Sequence, residues 1–322
     1  MFTEARVLQR RWAAPSVLEL VLEAIDAPFP ESAPGAHVDV HLSDGTVRQY
    51  SLVDPVPAGS QRCRIGVRVL ADGRGGSRRL AAELQPGSAV RLGTPRNLFA
   101  MTPAGDRPVV LVAGGIGITP IHAMATELLR TPGARWTLHY AFSHRDEAYF
   151  PSDWLLKDPR VSLHPSRAGD GWPADRLDLQ ALVRAAVAQG GADIYCCGPQ
   201  PLMDALALCC EGQAGIRYVQ ESFEAPDLAP DGSETAFEVQ LVRSGRSLCV
   251  PAQRSILEVL RDAGVDVPSS CEQGICGACE TRVLAGTPVH RDAILSPAEQ
   301  AAGKSMMICC SRAATPVLAL DL

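Results

Sequence analysis

Cys271-Glu272-Gln273-Gly274-Ile275-Cys276-Gly277-Ala278-Cys279 is a C-x4-C-x2-C run, and Cys309-Cys310 follows after 29 further residues. Thiolates at this spacing suit two irons bridged by two sulfides. A loop wrapped round so small a cluster must bring its backbone N–H groups to the sulfurs. Ser270, Gly274, Gly277 and Ala278 are small enough to permit that approach. A four-cysteine zinc site usually pairs two C-x2-C knuckles; here there is one knuckle and one loop. Cys271, Cys276 and Cys279 are therefore expected to hold a [2Fe–2S] cluster, with Cys309 and Cys310 competing for the fourth ligand position.

Two further constellations suit anions. Arg48-Gln49-Tyr50-Ser51-Leu52 is followed by Gly73-Arg74-Gly75-Gly76-Ser77. Arg48 offers a bidentate cation, and Gly75, Gly76 and Ser77 open a short helix expected over 77–84, whose N-terminus favours a phosphate. Ala113-Gly114-Gly115-Ile116-Gly117-Ile118-Thr119-Pro120 joins a buried strand to a helix. Its glycines let the backbone approach a pyrophosphate, with Thr119 as cap and Pro120 in the first turn. Cys196-Cys197-Gly198-Pro199 ends another strand, where a parallel sheet places its ligands. Ser143-His144-Arg145-Asp146 ends a third and should lie near an adenosine ribose.

Three kinds of element must position these residues. Up to about residue 104, short alternating runs at 17–22, 37–42 and 64–70, parted by turns, predict an antiparallel β-barrel. From Val109 the pattern changes to strands at 109–113, 136–142 and 192–197, alternating with helices at 120–129 and 179–188. That predicts a parallel α/β sheet. A polar linker over 225–233 precedes a hairpin at Ser244-Gly245 and a helix over 255–263, stopped by Gly264. The expected domains are 1–104, 105–228 and 236–322.

The chain has 322 residues, 46% hydrophobic and 20% charged, so it can bury real cores. Its net charge of −6 argues against a dedicated nucleic-acid binder. Residues 1–104 carry a net +2 and residues 105–235 a net −7. No run is apolar for long enough to span a bilayer, and the N-terminus lacks the apolar core of a secretory signal. The expected compartment is the cytoplasm, where the eleven cysteines should be free. Cys209, Cys210 and Cys249 read as core residues.

Residues 236–322 resemble a plant-type ferredoxin of β-grasp fold. The longer string CEQGICGACETRVLAGTPVHRDAILSPAEQ, with CCSRA after it, resembles the phthalate dioxygenase reductase and vanillate O-demethylase reductase family over essentially the whole chain. The R-x-Y-S-L string resembles the flavin motif of the ferredoxin–NADP reductase superfamily, and the G-R-G-G-S turn resembles its FMN-using branch. The resemblance implies that Arg48, Gln49, Tyr50, Ser51, Leu52, Gly75, Gly76 and Ser77 hold FMN. It implies that Gly114, Gly115, Gly117, Thr119, Cys197, Gly198 and Pro199 hold NADH, and that Cys309 is the fourth cluster ligand; Ser143 and Arg145 are expected at the adenosine end from the sheet geometry, where relatives carry A-R-S instead. It gives Ser51, Cys197 and Phe223, from Glu221-Ser222-Phe223, the catalytic positions. Electrons are then expected to pass from NADH through FMN and the cluster to a Rieske oxygenase acting on an aromatic acid. The alternative is a stand-alone NAD(P)H:acceptor reductase for flavin or ferric chelates, which needs no ferredoxin domain. NADH rather than NADPH is expected, because the middle segment is acidic, although His144 and Arg145 are cations.

Overall fold

A computed structural model describes residues 2–71, 75–102, 105, 107–169, 172–223 and 235–322. The chain divides into two compact units, Met1–Phe223 and Glu224–Leu322.

The first unit contains two sheets. Strands β1 (Phe2–Ala14), β2 (Val17–Ala24), β3 (His37–His41), β4 (Val47–Ser51), β5 (Arg62–Arg68) and β6 (Ala89–Gly93) form one, in the order β4-β3-β6-β1-β2-β5. Every pairing is antiparallel, and a bridge from Leu52 to Ile65 joins the outer strands into a barrel. Alternation supplies the interior: Leu18, Leu20 and Leu22 from β2 meet Ile65 and Val67 from β5, and helix α1 (Gly76–Glu83) adds Leu80. Strand β1 escapes a period-two reading. Its 13 residues bury only Ala5, Val7 and Ala14, and the register shifts between Val7 and Gln9 and again between Trp12 and Ala14.

The second sheet is parallel, with order β11-β10-β7-β8-β9. It is built from β7 (Val109–Gly114), helix α2 (Ile118–Arg130), β8 (Trp136–Phe142), β9 (Val161–Pro165), helix α3 (Leu179–Ala188), β10 (Ala192–Cys197), helix α4 (Gln200–Cys210) and β11 (Ile216–Glu221). Strands β7 and β10 are buried at every position, as a central strand covered on both faces must be. Helix α2 starts two residues before the expected Pro120, after a 3-10 turn over Gly115–Gly117. Thr119 is therefore not the cap. It lies inside the first turn, where its hydroxyl donates back to the Ile116 carbonyl at 3.0 Å.

The two sheets share a core. Ala14, Val17, Val53 and Phe99 pack in one cluster with Leu111, Tyr140 and Tyr195. The boundary expected at 104/105 thus separates sheets inside one compact unit.

The second unit has β12 (Phe237–Leu241), β13 (Arg246–Val250), α5 (Ile256–Asp262), β14 (Glu280–Ala285), β15 (Pro288–Val289), α6 (Pro297–Ala302), β16 (Ser305–Met307), β17 (Arg312–Ala313) and β18 (Val317–Leu320). Its main sheet has the order β13-β12-β18-β14-β16, with the terminal strands β12 and β18 parallel at its centre. Strands β12 and β13 form the expected hairpin. Ser255 and Glu258 close a capping box that starts α5. Cys249 is exposed, against expectation, because β13 turns Val250 inward and its neighbour outward. The linker at 225–233 lies outside the described residues. Among the described residues no helix is long and apolar enough to cross a membrane.

Candidate functional site

Strands β3 and β4 run antiparallel, with His37 opposite Ser51 and Val40 opposite Arg48. The Arg48 guanidinium donates to the Val47 carbonyl at 2.8 Å and lies against the start of α1. A Cβ on Gly76 would come within 2.1 Å of Arg48 Nε, so a side chain there would push the guanidinium aside. The first turn of α1 carries no acidic residue, and its N-cap, Gly75, has no side chain with which to cap it. A cation set against the positive end of a helix is unfavourable until an anion joins them. Ser77 Oγ accepts from the Leu70 N–H at 3.2 Å, which leaves its proton to donate. Gly73 and Arg74 lie outside the described residues.

Further along β4, Gln49 donates to Asp39 at 3.0 Å. Burial pushes the Tyr50 phenol up to about 12. Ser51 is buried and its hydroxyl has no partner among the described residues. Such an orphaned group marks a place for a polar ligand atom. Leu52 differs from the expectation for a ligand contact: its side chain enters the barrel core and its N–H donates to the Ala36 carbonyl at 2.8 Å.

At the C-terminal edge of the parallel sheet the expected nucleotide residues converge. A Cβ on Gly114 would lie 2.6 Å from Pro199 Cδ, and one on Gly117 would lie 2.1 Å from the Cys197 carbonyl oxygen. Glycine is required where these two turns close on each other. Cys197 is fully buried and belongs to the core; burial and then Glu221 hold its thiol far above its ordinary pKa. It therefore offers no thiolate for chemistry. Phe223, just past β11, is 37% exposed. Ser143 and Arg145 are exposed at the end of β8, and the Arg145 guanidinium lies 5.1 Å from the centre of the Trp172 ring.

Two residues that the sequence reading did not assign stand between the sheets. His37 Nδ1 lies 4.0 Å from Glu221 Oε1, and both side chains are largely buried. His37 Nε2 and Glu221 Oε2 have no partner among the described residues. Burial raises Glu221 to about 8. Burial, and then the Arg96 guanidinium, lower His37 to about 4. The sequence signal was faint: His37 opens the alternating run His37-Val38-Asp39-Val40, and only the fold shows all four buried.

In the second unit Cys271, Cys276, Cys279, Cys309 and Cys310 are all buried. Cys271 meets Cys276, and Cys309 meets both Cys279 and its neighbour Cys310. The bond to its partner and then burial push the Cys271 and Cys279 thiols up in each case. Among the described residues no three His, Cys, Asp or Glu side chains converge on one point. The contacts of Cys271 with Cys276 and of Cys279 with Cys309 suit two bridged irons. The N–H groups of Gln273 and Ala278 point at Cys271 and Cys276 Sγ at 3.3 and 3.4 Å. Cys310 instead donates to the Met307 carbonyl at 3.6 Å and packs on Gly274, where a Cβ would meet its sulfur at 2.7 Å.

Comparison with known proteins agrees with this layout. Residues 239–314 match the 2Fe-2S iron-sulfur cluster binding domain, and residues 111–207 match the oxidoreductase NAD-binding domain. The chain is 44% identical over 296 residues to the phenoxybenzoate dioxygenase subunit beta of Ectopseudomonas oleovorans, covering 92% of this chain and 88% of that one. It is 39% identical over 323 residues to a vanillate O-demethylase oxidoreductase of Pseudomonas sp. (strain HR199 / DSM 7063), covering 99% of each. The solved structure of phthalate dioxygenase reductase, described as modular for electron transfer from pyridine nucleotides to [2Fe-2S], is 35% identical. It superposes with a TM-score of 0.70, covering 100% of this chain and 98% of that one.

Proposed function

The chain belongs to the family of phthalate dioxygenase reductase and vanillate O-demethylase reductase, and from that premise we propose how its residues divide the work. It is an NADH-dependent flavin and iron–sulfur oxidoreductase, the reductase component of an aromatic-ring oxygenase system. When bound, FMN and the [2Fe–2S] cluster supply the conversion of a two-electron hydride donor into single electrons. Segment 1–104 serves the flavin, 105–228 the nucleotide and 236–322 the cluster. The outlet is a Rieske-type oxygenase in the cytoplasm; that partner is inferred from the relatives, not from a surface of this chain.

The observation that carries the reading is that two anion cradles share one compact unit. One is Arg48 against the uncapped start of α1; the other is the Gly114–Gly117 turn closed on Gly198 and Pro199. Arg48, Gly75, Gly76 and Ser77 bind the flavin phosphate by charge and by N–H and O–H donors. The flavin is FMN because no segment of the sequence provides an obvious insertion to house an adenine. Ser51 presents its free hydroxyl to the reacting face, and Phe223 covers the flavin edge and excludes water. Gly114, Gly115, Gly117, Thr119, Cys197, Gly198 and Pro199 shape the floor on which the nucleotide lies. In the cluster unit, Cys271, Cys276, Cys279 and Cys309 would hold the cluster, which would accept electrons singly.

NADH is the donor. Ser143 and Arg145 face the adenosine end, and the Arg145 guanidinium is engaged over Trp172. Adding NADH anaerobically to the purified protein should bleach flavin absorbance and then reduce a cluster visible by electron paramagnetic resonance. kcat/KM for NADH should exceed that for NADPH at equal ionic strength. With a Rieske oxygenase encoded beside it, the protein should support turnover of an aromatic acid. A purified protein without iron or flavin would end the reading.

A further inference from the structure

The seam between the two sheets of the first unit contains a buried carboxylate that the reaction does not require. Glu19, on β2, is 5% exposed. It accepts from Arg11 Nε at 2.6 Å and from Arg64 at 3.2 Å, both on the barrel, and from the Tyr149 hydroxyl at 2.5 Å, which comes from the nucleotide side. Arg64 also crosses the seam, donating to the Pro151 carbonyl at 2.7 Å, while two of its nitrogens hold Asp54.

Gly66 on β5 stands opposite Glu19 in the β2–β5 register. A Cβ there would lie 2.8 Å from Tyr149 Cε1 and 2.9 Å from Thr119 Cγ2. One point on the barrel thus receives two pieces of the nucleotide half. The ring of Tyr149 rests on Gly66 with its hydroxyl on Glu19, and the methyl of Thr119 rests beside it. Thr119 follows the Gly115–Gly117 turn by two residues and holds the Ile116 carbonyl inside that turn at 3.0 Å. A shift at the socket therefore reaches the turn through three residues of stiff backbone.

A buried charge at an apolar seam is a costly way to glue two sheets, since removing either partner leaves the other uncompensated. What such a network gives in return is a single geometry. We propose that Glu19 and Tyr149 are positioning residues: with Gly66 they fix where the Gly114–Gly117 turn stands relative to the strand carrying Arg48 and Ser51. The inference rests on the flavin and nucleotide roles assigned above. Hydride transfer is sensitive to displacements of about 1 Å, at a cost of about a hundredfold in rate.

The test uses the flavin-loaded full chain. Rapid mixing with NADH separates the limiting rate of flavin bleaching from the apparent Kd. Calorimetry measures NADH affinity without turnover, and tryptophan fluorescence gives the unfolding midpoint. Glu19→Gln and Tyr149→Phe should each lower the limiting rate by about tenfold or more, with NADH affinity within about threefold of the parent. The double variant should be no slower than the slower single one, because the two act through one contact. Gly66→Ala, which drives a methyl into the socket, should act in the same direction. Limiting rates within about twofold of the parent in both Glu19→Gln and Tyr149→Phe would overturn the proposal, whatever the midpoint does. So would a loss confined to NADH affinity. Failure of the parent itself to bleach with NADH would instead sink the assigned roles.

Discussion

Residues of one type do different things here according to what surrounds them. Cys309 and Cys310 are neighbours, both buried, yet one meets Cys279 and the other bonds back into its own turn. Cys309→Ser should therefore lose iron and the visible cluster spectrum, while Cys310→Ser should keep both; iron analysis of the two purified variants decides, and the reverse pattern would reassign the ligand. Arg48 is the corresponding single point for the flavin. It lies against a helix whose first turn carries no acid, so in the proposed function the flavin phosphate is its counter-ion. Arg48→Ala should cost about 2–4 kcal/mol of flavin binding, or one to three decades in affinity. The variant should purify partly flavin-free and regain activity with added FMN. Full occupancy would show that the phosphate is held elsewhere.

At the scale of elements, β3 and β11 bring His37 and Glu221 together. Glu221 titrates near 4.5 in an unfolded chain and near 8 in the fold, so the native state keeps a proton that the unfolded state has released. Its term favours folding below pH 4.5 and is lost as pH rises towards 8. His37 titrates near 6.5 unfolded and near 4 folded, so its term is present above pH 6.5 and is lost as pH falls towards 4. Between 4.5 and 6.5 the two slopes cancel. Above 6.5 only the Glu221 slope remains. The first unit should therefore lose roughly 1–2 kcal/mol between pH 6.5 and 8, and Glu221→Gln should abolish that loss. All four tryptophans, Trp12, Trp136, Trp154 and Trp172, lie in this unit, so denaturant titrations followed by their fluorescence report on it alone. An equal decline in the Gln variant would place the titrating group elsewhere.

At the scale of the whole molecule, the division into Met1–Phe223 and Glu224–Leu322 separates the flavin and nucleotide cradles from the cysteine pairs. A chain ending near Ser233 keeps both sheets and the seam between them. It should still reduce ferricyanide with NADH at a rate comparable to the full protein, and it should fail to drive an oxygenase. Oxygenase turnover by the shortened chain would break the linear path through the cluster.

Spacing along the chain was enough to mark the cluster, and the family resemblance supplied the flavin and the nucleotide. The C-x4-C-x2-C run and the glycine turns are local, and each acts through residues a few positions apart. The central strands were legible for the same reason. β8, β10 and α3 fall at the expected residues; β10 is buried at every position, and such a strand leaves a continuous signature. Strand β1 was not legible, since its bulges break the alternation that a reader counts. The resemblance pointed to Cys309 over Cys310 before any fold was seen; the fold adds that Cys309 meets Cys279 while Cys310 donates to the Met307 carbonyl. Nor does the sequence show that two sheets with separate patterns form one unit, or that Glu19 meets Tyr149 and His37 meets Glu221. Those partners are far apart in the chain, and a contact between distant residues is set by how whole sheets pack, which no local pattern encodes.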